Sequence, residues 1–167
     1  MSKKEIKCCK ATDPMFVGLD PSFNEFGLVV LDKDAKIIEQ KILASSTKLD
    51  ADERIIQLEE GFKFIPTICG LQSIYIEGIF TSTGQYTLQL SALHYYIRIF
   101  LIKQKTDFKI VTPGELKKFV TGKGNSKKEL ILLKTFKKWG VEFDNNNLAD
   151  AYGLARMALE EYKDENK

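Results

Sequence analysis

Residues 15–43, MFVGLDPSFNEFGLVVLDKDAKIIEQKIL, decide the fold. Met15 to Leu19 is a short apolar run stopped by Asp20-Pro21-Ser22, which reads as a buried strand closed by a turn. Phe26 to Leu31 is a second run, Asp32-Lys33-Asp34 is turn chemistry, and Lys36 to Leu43 is a third run. Strands joined by connections this short predict an antiparallel meander, because parallel neighbours need a crossover of about a dozen residues or more.

Downstream, the period changes. Ile55, Leu58, Phe62 and Ile65 fall at helical spacing and predict a helix over 50–65. Ser73 to Ile76 reads as a fourth strand ending at Glu77-Gly78, and Lys109 to Val111 as a short fifth. Between them, 84–103 reads as a long helix whose apolar residues cover most of its circumference. Such a helix is buried on more than one side, either by its own chain or by a partner subunit. Thr112-Pro113-Gly114-Glu115 is a capping box with Pro at the first helical position, and that helix stops near Gly122. Ser126-Lys127-Lys128-Glu129 predicts a second capping box and a helix to Trp139, and 147–162 reads as the last helix. The order β-β-β-α-β-α-β-α-α-α predicts an α/β domain with a mixed sheet and helices packed on it.

The chain has 167 residues, 44% hydrophobic and 29% charged, which excludes disorder and leaves no room for a duplicated two-lobed fold or a multidomain assembly. Three cysteines (Cys8, Cys9 and Cys69) and the single His94 offer no zinc ligand set, so reduced thiols in a cytoplasm are the simplest expectation. Met1 to Lys10 is polar, with no apolar core of a secretory signal behind it, and Leu88 to Ile102 is too short and interrupted to span a bilayer. The expected organisation is a flexible leader over 1–14, one domain over 15–162 and a tail over 163–167. From Lys103 to Lys138, eleven lysines face three acidic residues. That segment carries +8 against a chain total of +2, so the remainder carries −6. A basic block on an acidic remainder suits a polyanionic partner, although a solvated helix surface has the same composition.

Three acidic residues stand at informative places: Asp20 and Glu77 after the first and fourth strands, and Asp150 in the first turn of the last helix. Singly, each is ordinary turn or helix-start chemistry. Together, if the first and fourth strands are neighbours, they converge at one sheet end. Converging carboxylates repel unless a cation joins them, and hard oxygen donors select Mg²⁺ or Mn²⁺. Two such ions about 4 Å apart support in-line phosphodiester hydrolysis without a catalytic His. Gly122-Lys123-Gly124, and the backbone N–H groups expected at Ser126 beside Lys127 and Lys128, predict a phosphate site. The nucleotide-binding pattern G-x-x-x-x-G-K-[ST] is absent, so no nucleotide cofactor is expected.

Gly18-Leu19-Asp20-Pro21-Ser22, Ile76-Glu77-Gly78-Ile79-Phe80 and Ala149-Asp150-Ala151 resemble the three acidic motifs of RuvC-type Holliday junction resolvases. Leu116-Lys117, Gly122-Lys123-Gly124 and Lys128 extend the likeness, which covers Met15 to Leu159 and is most similar to the bacteriophage branch. The resemblance implies a ribonuclease H-like fold with a mixed five-stranded sheet, three strands antiparallel and two parallel. It implies a homodimer, located in the bacterial host cytoplasm if phage-encoded. It also implies Mg²⁺- or Mn²⁺-dependent resolution of four-way DNA by paired nicks, leaving 5′-phosphate and 3′-hydroxyl ends. Asp20, Glu77 and Asp150 carry over as metal ligands and catalytic residues, Lys117 and Lys128 as basic residues near the scissile phosphate with Lys128 also catalytic, and Phe80 as a contact to unstacked bases. Many members have an acidic residue three positions before the last Asp. Here that position is Asn147, which offers a neutral carbonyl ligand, and Asp144 stands one turn earlier. Two other readings remain: a monomeric nuclease of the same fold acting on RNA–DNA hybrids or flaps, and a branch-binding protein with little catalysis.

Overall fold

The computed structural model describes residues 13–79, 84–127 and 129–167. The sequence calls on Cys8, Cys9, Phe80 and Lys128, and most of the expected leader, lie outside them. The described elements are β1 (Met15–Asp20), β2 (Phe26–Asp32), β3 (Ile37–Leu43), α1 (Ala51–Phe62), β4 (Leu71–Glu77), α2 (Gln85–Lys103), β5 (Phe108–Val111), α3 (Pro113–Thr121), α4 (Glu129–Trp139) and α5 (Asn146–Glu165). Their order is the one expected from the sequence.

The sheet runs β3-β2-β1-β4-β5. The β1–β2 and β2–β3 pairs are antiparallel, and β1–β4 and β4–β5 are parallel. Strand β1 is therefore central and carries helices on both faces, which is why all six of its residues are buried and its sequence does not alternate. Val17 and Leu19 join Leu28, Ile74 and Ile76 in a core shared with Ile55, Leu58 and Phe62 of α1 and Leu93, Ile97 and Leu101 of α2. Phe16 and Tyr75 face the other way, packing with Leu116, Val120, Ile131 and Leu154 of α3, α4 and α5. Val29 and Leu31 pack against Ala151, Tyr152 and Ala155 of α5. Residues 16, 18 and 20 share one side of β1, so Gly18 and Asp20 face α5.

Several element ends differ from the sequence expectation. Helix α1 stops at Phe62, and Ile65 sits in a short 3₁₀ turn with Pro66, which has no N–H to bond the Phe62 carbonyl. Helix α4 is described from Glu129, and the expected start at Lys127-Lys128 falls partly outside the described residues; the Ser126 hydroxyl donates to the Lys123 carbonyl at 2.8 Å and lies 2.7 Å from the Thr121 hydroxyl. Helix α5 continues to Glu165, through the start of the expected tail. Capping at Thr112 is as expected: its hydroxyl accepts from the Glu115 N–H, and the Glu115 carboxylate, held below the ordinary carboxylate range by these Thr112 bonds, accepts in return.

Helix α2 divides into two faces. Leu93, Ile97 and Leu101 are at most 1% exposed, whereas Leu88, Tyr95, Ile99 and Ile102 are 50–72% exposed, so the described residues do not cover this helix on all sides. Among the described residues, no helix is long and apolar enough to cross a membrane.

Burial of His94 on α2, reinforced by the Arg98 charge, lowers its pKa from 6.5 to about 4. The unfolded chain then binds more protons than the folded chain between these values, so stability is full above pH 6.5 and falls as the pH drops toward 4. The gap corresponds to about 3 kcal/mol. Urea titrations from pH 7 to 4 are expected to show a decline that His94→Leu flattens; an equally steep decline in the variant contradicts the assignment.

Candidate metal centre

The parallel register sets Leu19 beside Ile76, so Asp20 and Glu77, the next residues on each strand, close adjacent strand ends. Both share the face toward α5, as Phe16 and Tyr75 do two or more residues earlier. Asp150 enters from the first part of α5. Its approach depends on two missing side chains. A β-carbon on Gly18 would lie 1.9 Å from the Ala151 carbonyl oxygen, and one on Gly27 would lie 2.1 Å from that of Asn147. Gly27 is the register partner of Asp20, so this contact is beside the site. Ala149, Ala151 and Ala155 keep the α5 side equally thin, and all three are fully buried.

The result is one cluster. Asp20, Glu77 and Asp150 each offer a carboxylate oxygen, and these atoms lie within 4.8 Å of one another. Asp20 and Asp150 are buried and Glu77 is half-buried, so water screens the group only in part. Two full charges at this spacing repel by roughly 3 kcal/mol per pair at an effective dielectric of about 20. All donors are hard oxygens, and the arrangement fits a divalent cation of the Mg²⁺ or Mn²⁺ kind.

Asn147 is half-buried in the first turn of α5, and its amide Nδ2 donates to the backbone carbonyl of Glu25. Asp144 is exposed and precedes the N-cap Asn145, so the helix does not extend to it and it shares no helical face with Asp150. Lys117 is half-buried on α3, and Lys123 and Lys127 are exposed in the loop after it. That loop turns at Gly122, whose φ of 85° favours glycine, and returns so that a β-carbon on Gly124 would lie 3.1 Å from the Gly114 carbonyl. Gly114 follows Val111, the register partner of Glu77, so the loop reaches the end of the sheet that carries the acidic cluster. Lys138 has a different place: its Nζ donates to the Phe119 carbonyl at 3.3 Å and lies over the Phe119 and Trp139 rings. What sequence reasoning missed is the spacing role of Gly27 and the contacts of Glu25. A glycine inside an apolar strand is the signal for a close backbone approach.

A family model described as crossover junction endodeoxyribonuclease RuvC matches residues 16–157. A protein of that name from Sulfurovum sp. (strain NBC37-1) is 28% identical over 153 residues, covering 88% of this chain and 96% of the relative. The solved structure of Thermus thermophilus RuvC superposes with a TM-score of 0.73 at 17% identity, covering 91% of this chain and 96% of that one. The T. thermophilus RuvC structure in complex with Holliday junction substrate gives the same TM-score and identity, covering 85% and 90%. At that identity the two structures show the fold.

Gly18→Ala is expected to push α5 off the sheet, because its new methyl meets a backbone carbonyl rather than a movable side chain. Overpacking of this kind costs about 1–3 kcal/mol. Thermal unfolding followed by circular dichroism, with Mn²⁺ binding by calorimetry, should show a lower Tm together with weakened binding. A variant matching the wild type in both would refute the spacing role.

Proposed function

The chain belongs to the RuvC family of crossover junction endodeoxyribonucleases, and from that premise we propose that it resolves four-way DNA junctions by paired, metal-dependent nicks. The observation that carries this reading is the convergence of three carboxylates from two strands and a helix. The solved relative bound to a Holliday junction has the same fold and supports branched DNA as the substrate.

In this reading Asp20, Glu77 and Asp150 hold Mg²⁺ or Mn²⁺, two ions per site. Bound there, divalent ions would supply activation of a water and stabilisation of the leaving oxygen, the chemistry that leaves 5′-phosphate and 3′-hydroxyl ends. The residues of the chain do the rest. Three carboxylates fixed by strand ends and a rigid helix need no rearrangement to present their oxygens. Lys123 and Lys127, exposed at that end of the sheet, contact phosphates, and Lys117 and Lys128 act near the scissile phosphate. Phe80 contacts unstacked bases. Contacts of the lysine kind give affinity without reading sequence, so branched shape is the property recognised.

Paired nicking needs two sites. Leu88, Ala92, Tyr95, Ile99 and Ile102 on α2 repeat at alternating steps of four and three, the spacing by which one helix seats on another. They form an exposed stripe that a second copy of this chain would cover. This supports the homodimer over a monomeric hybrid-cleaving nuclease of the same fold.

A panel of four-way junction, RNA–DNA hybrid and linear duplex, incubated with Mg²⁺ or Mn²⁺, tests the activity. The junction should be nicked in preference to both, and Asp150→Asn should lose at least ~100-fold in rate while still shifting the junction on gels. Cleavage of hybrids without junctions, or no metal-dependent cleavage at all, contradicts the proposal. In sedimentation at micromolar concentration, Ile99→Glu should sediment as a monomer and the wild type as a dimer; equal masses contradict the α2 interface.

A further inference from the structure

The residue three positions before Asp150 shares its helix face. It is Asn147, and its side chain is already engaged. The Nδ2 group donates to the main-chain carbonyl of Glu25, in the loop that leaves Asp20. Only a donor suits that position, since a carboxylate would set oxygen against oxygen.

The acceptor is held firmly. The Phe23 carbonyl accepts from Ser45 N at 3.1 Å and from Ser45 Oγ at 2.6 Å. Arg54 donates through Nε to Ser45 Oγ at 2.9 Å and through its terminal nitrogen to Asn24 Oδ1 at 2.7 Å, with its guanidinium 4.7 Å from the Phe23 ring centroid. From the other side, Asn145 Nδ2 reaches the Glu25 carboxylate at 3.4 Å, while Asn145 Oδ1 caps the N–H groups of Asn147 and Leu148. The loop from Pro21 to Glu25 is thus braced between α1 and the start of α5. The Asn147 backbone lies directly over Gly27, opposite Asp20.

We propose that Asn147 is a positioning residue: it ties the first turn of α5 to the braced loop after Asp20, and so sets Asp150 against Asp20. The inference rests on the proposed metal centre and assigns its charged ligands to Asp20, Glu77 and Asp150 alone. Arg54, which touches Ser45, Asn24 and Phe23, acts in the same direction by fixing the loop that carries the acceptor.

Mn²⁺ binding by calorimetry and metal-free melting, on the full-length chain and three variants, test this. N147A is expected to melt about 3 °C below the wild type without metal, the scale of one lost hydrogen bond. It should also bind Mn²⁺ several-fold more weakly, and R54A should weaken Mn²⁺ binding in the same direction. N147D, which restores a carboxylate but not the donor, should bind Mn²⁺ no more tightly than the wild type. A tenfold tighter N147D overturns the inference alone, as does unchanged Mn²⁺ affinity in either N147A or R54A. A wild type that binds no Mn²⁺ overturns the metal centre and the inference with it.

Discussion

The contact on which the structure depends is between two backbones. Helix α5 lies so low on the sheet that the Ala151 carbonyl occupies the space a β-carbon at position 18 would need. Nothing larger than glycine fits at positions 18 and 27, and the alanines of α5 complete the fit. Close packing of this kind fixes the helix in height as well as direction, because interiors tolerate few voids and little overlap. Asp150 therefore meets the ends of β1 and β4 by the geometry of the layers and not by the reach of a flexible side chain.

That geometry opposes the stability of the metal-free protein. Two buried carboxylates and a half-buried third stand within 4.8 Å, and the apolar layers on both faces of the sheet must offset their repulsion. A site that is electrostatically unfavourable when empty is favourable for a cation, because the ion removes the repulsion it replaces. The same logic explains the division of charge. Three carboxylates meet where ions would sit, and the lysine-rich loop after α3 returns to the same end of the sheet, where phosphates would approach.

Much of this was legible in the chain. The meander followed from Asp20-Pro21-Ser22 and Asp32-Lys33-Asp34, since turn chemistry is local. Asp20, Glu77 and Asp150 were legible as a set because strand ends and helix starts are fixed points of the pattern. The exposed stripe of α2 was not separable from its buried face, because apolar periodicity does not distinguish a core from a partner. The Ser126 hydroxyl also serves Lys123 and Thr121, bonds within one loop that the capping-box spacing does not announce. The engagement of Asn147 with Glu25 joins residues far apart in sequence, and the amide type alone leaves open whether its oxygen or its nitrogen is used.

Anomalous diffraction from crystals of the protein soaked in Mn²⁺ measures the central claim most directly. The account predicts anomalous density at ordinary metal–oxygen distances, about 2.0–2.2 Å, from carboxylate oxygens of Asp20, Glu77 and Asp150 together. Density that avoids this cluster, or an ion held by only one of the three, contradicts it.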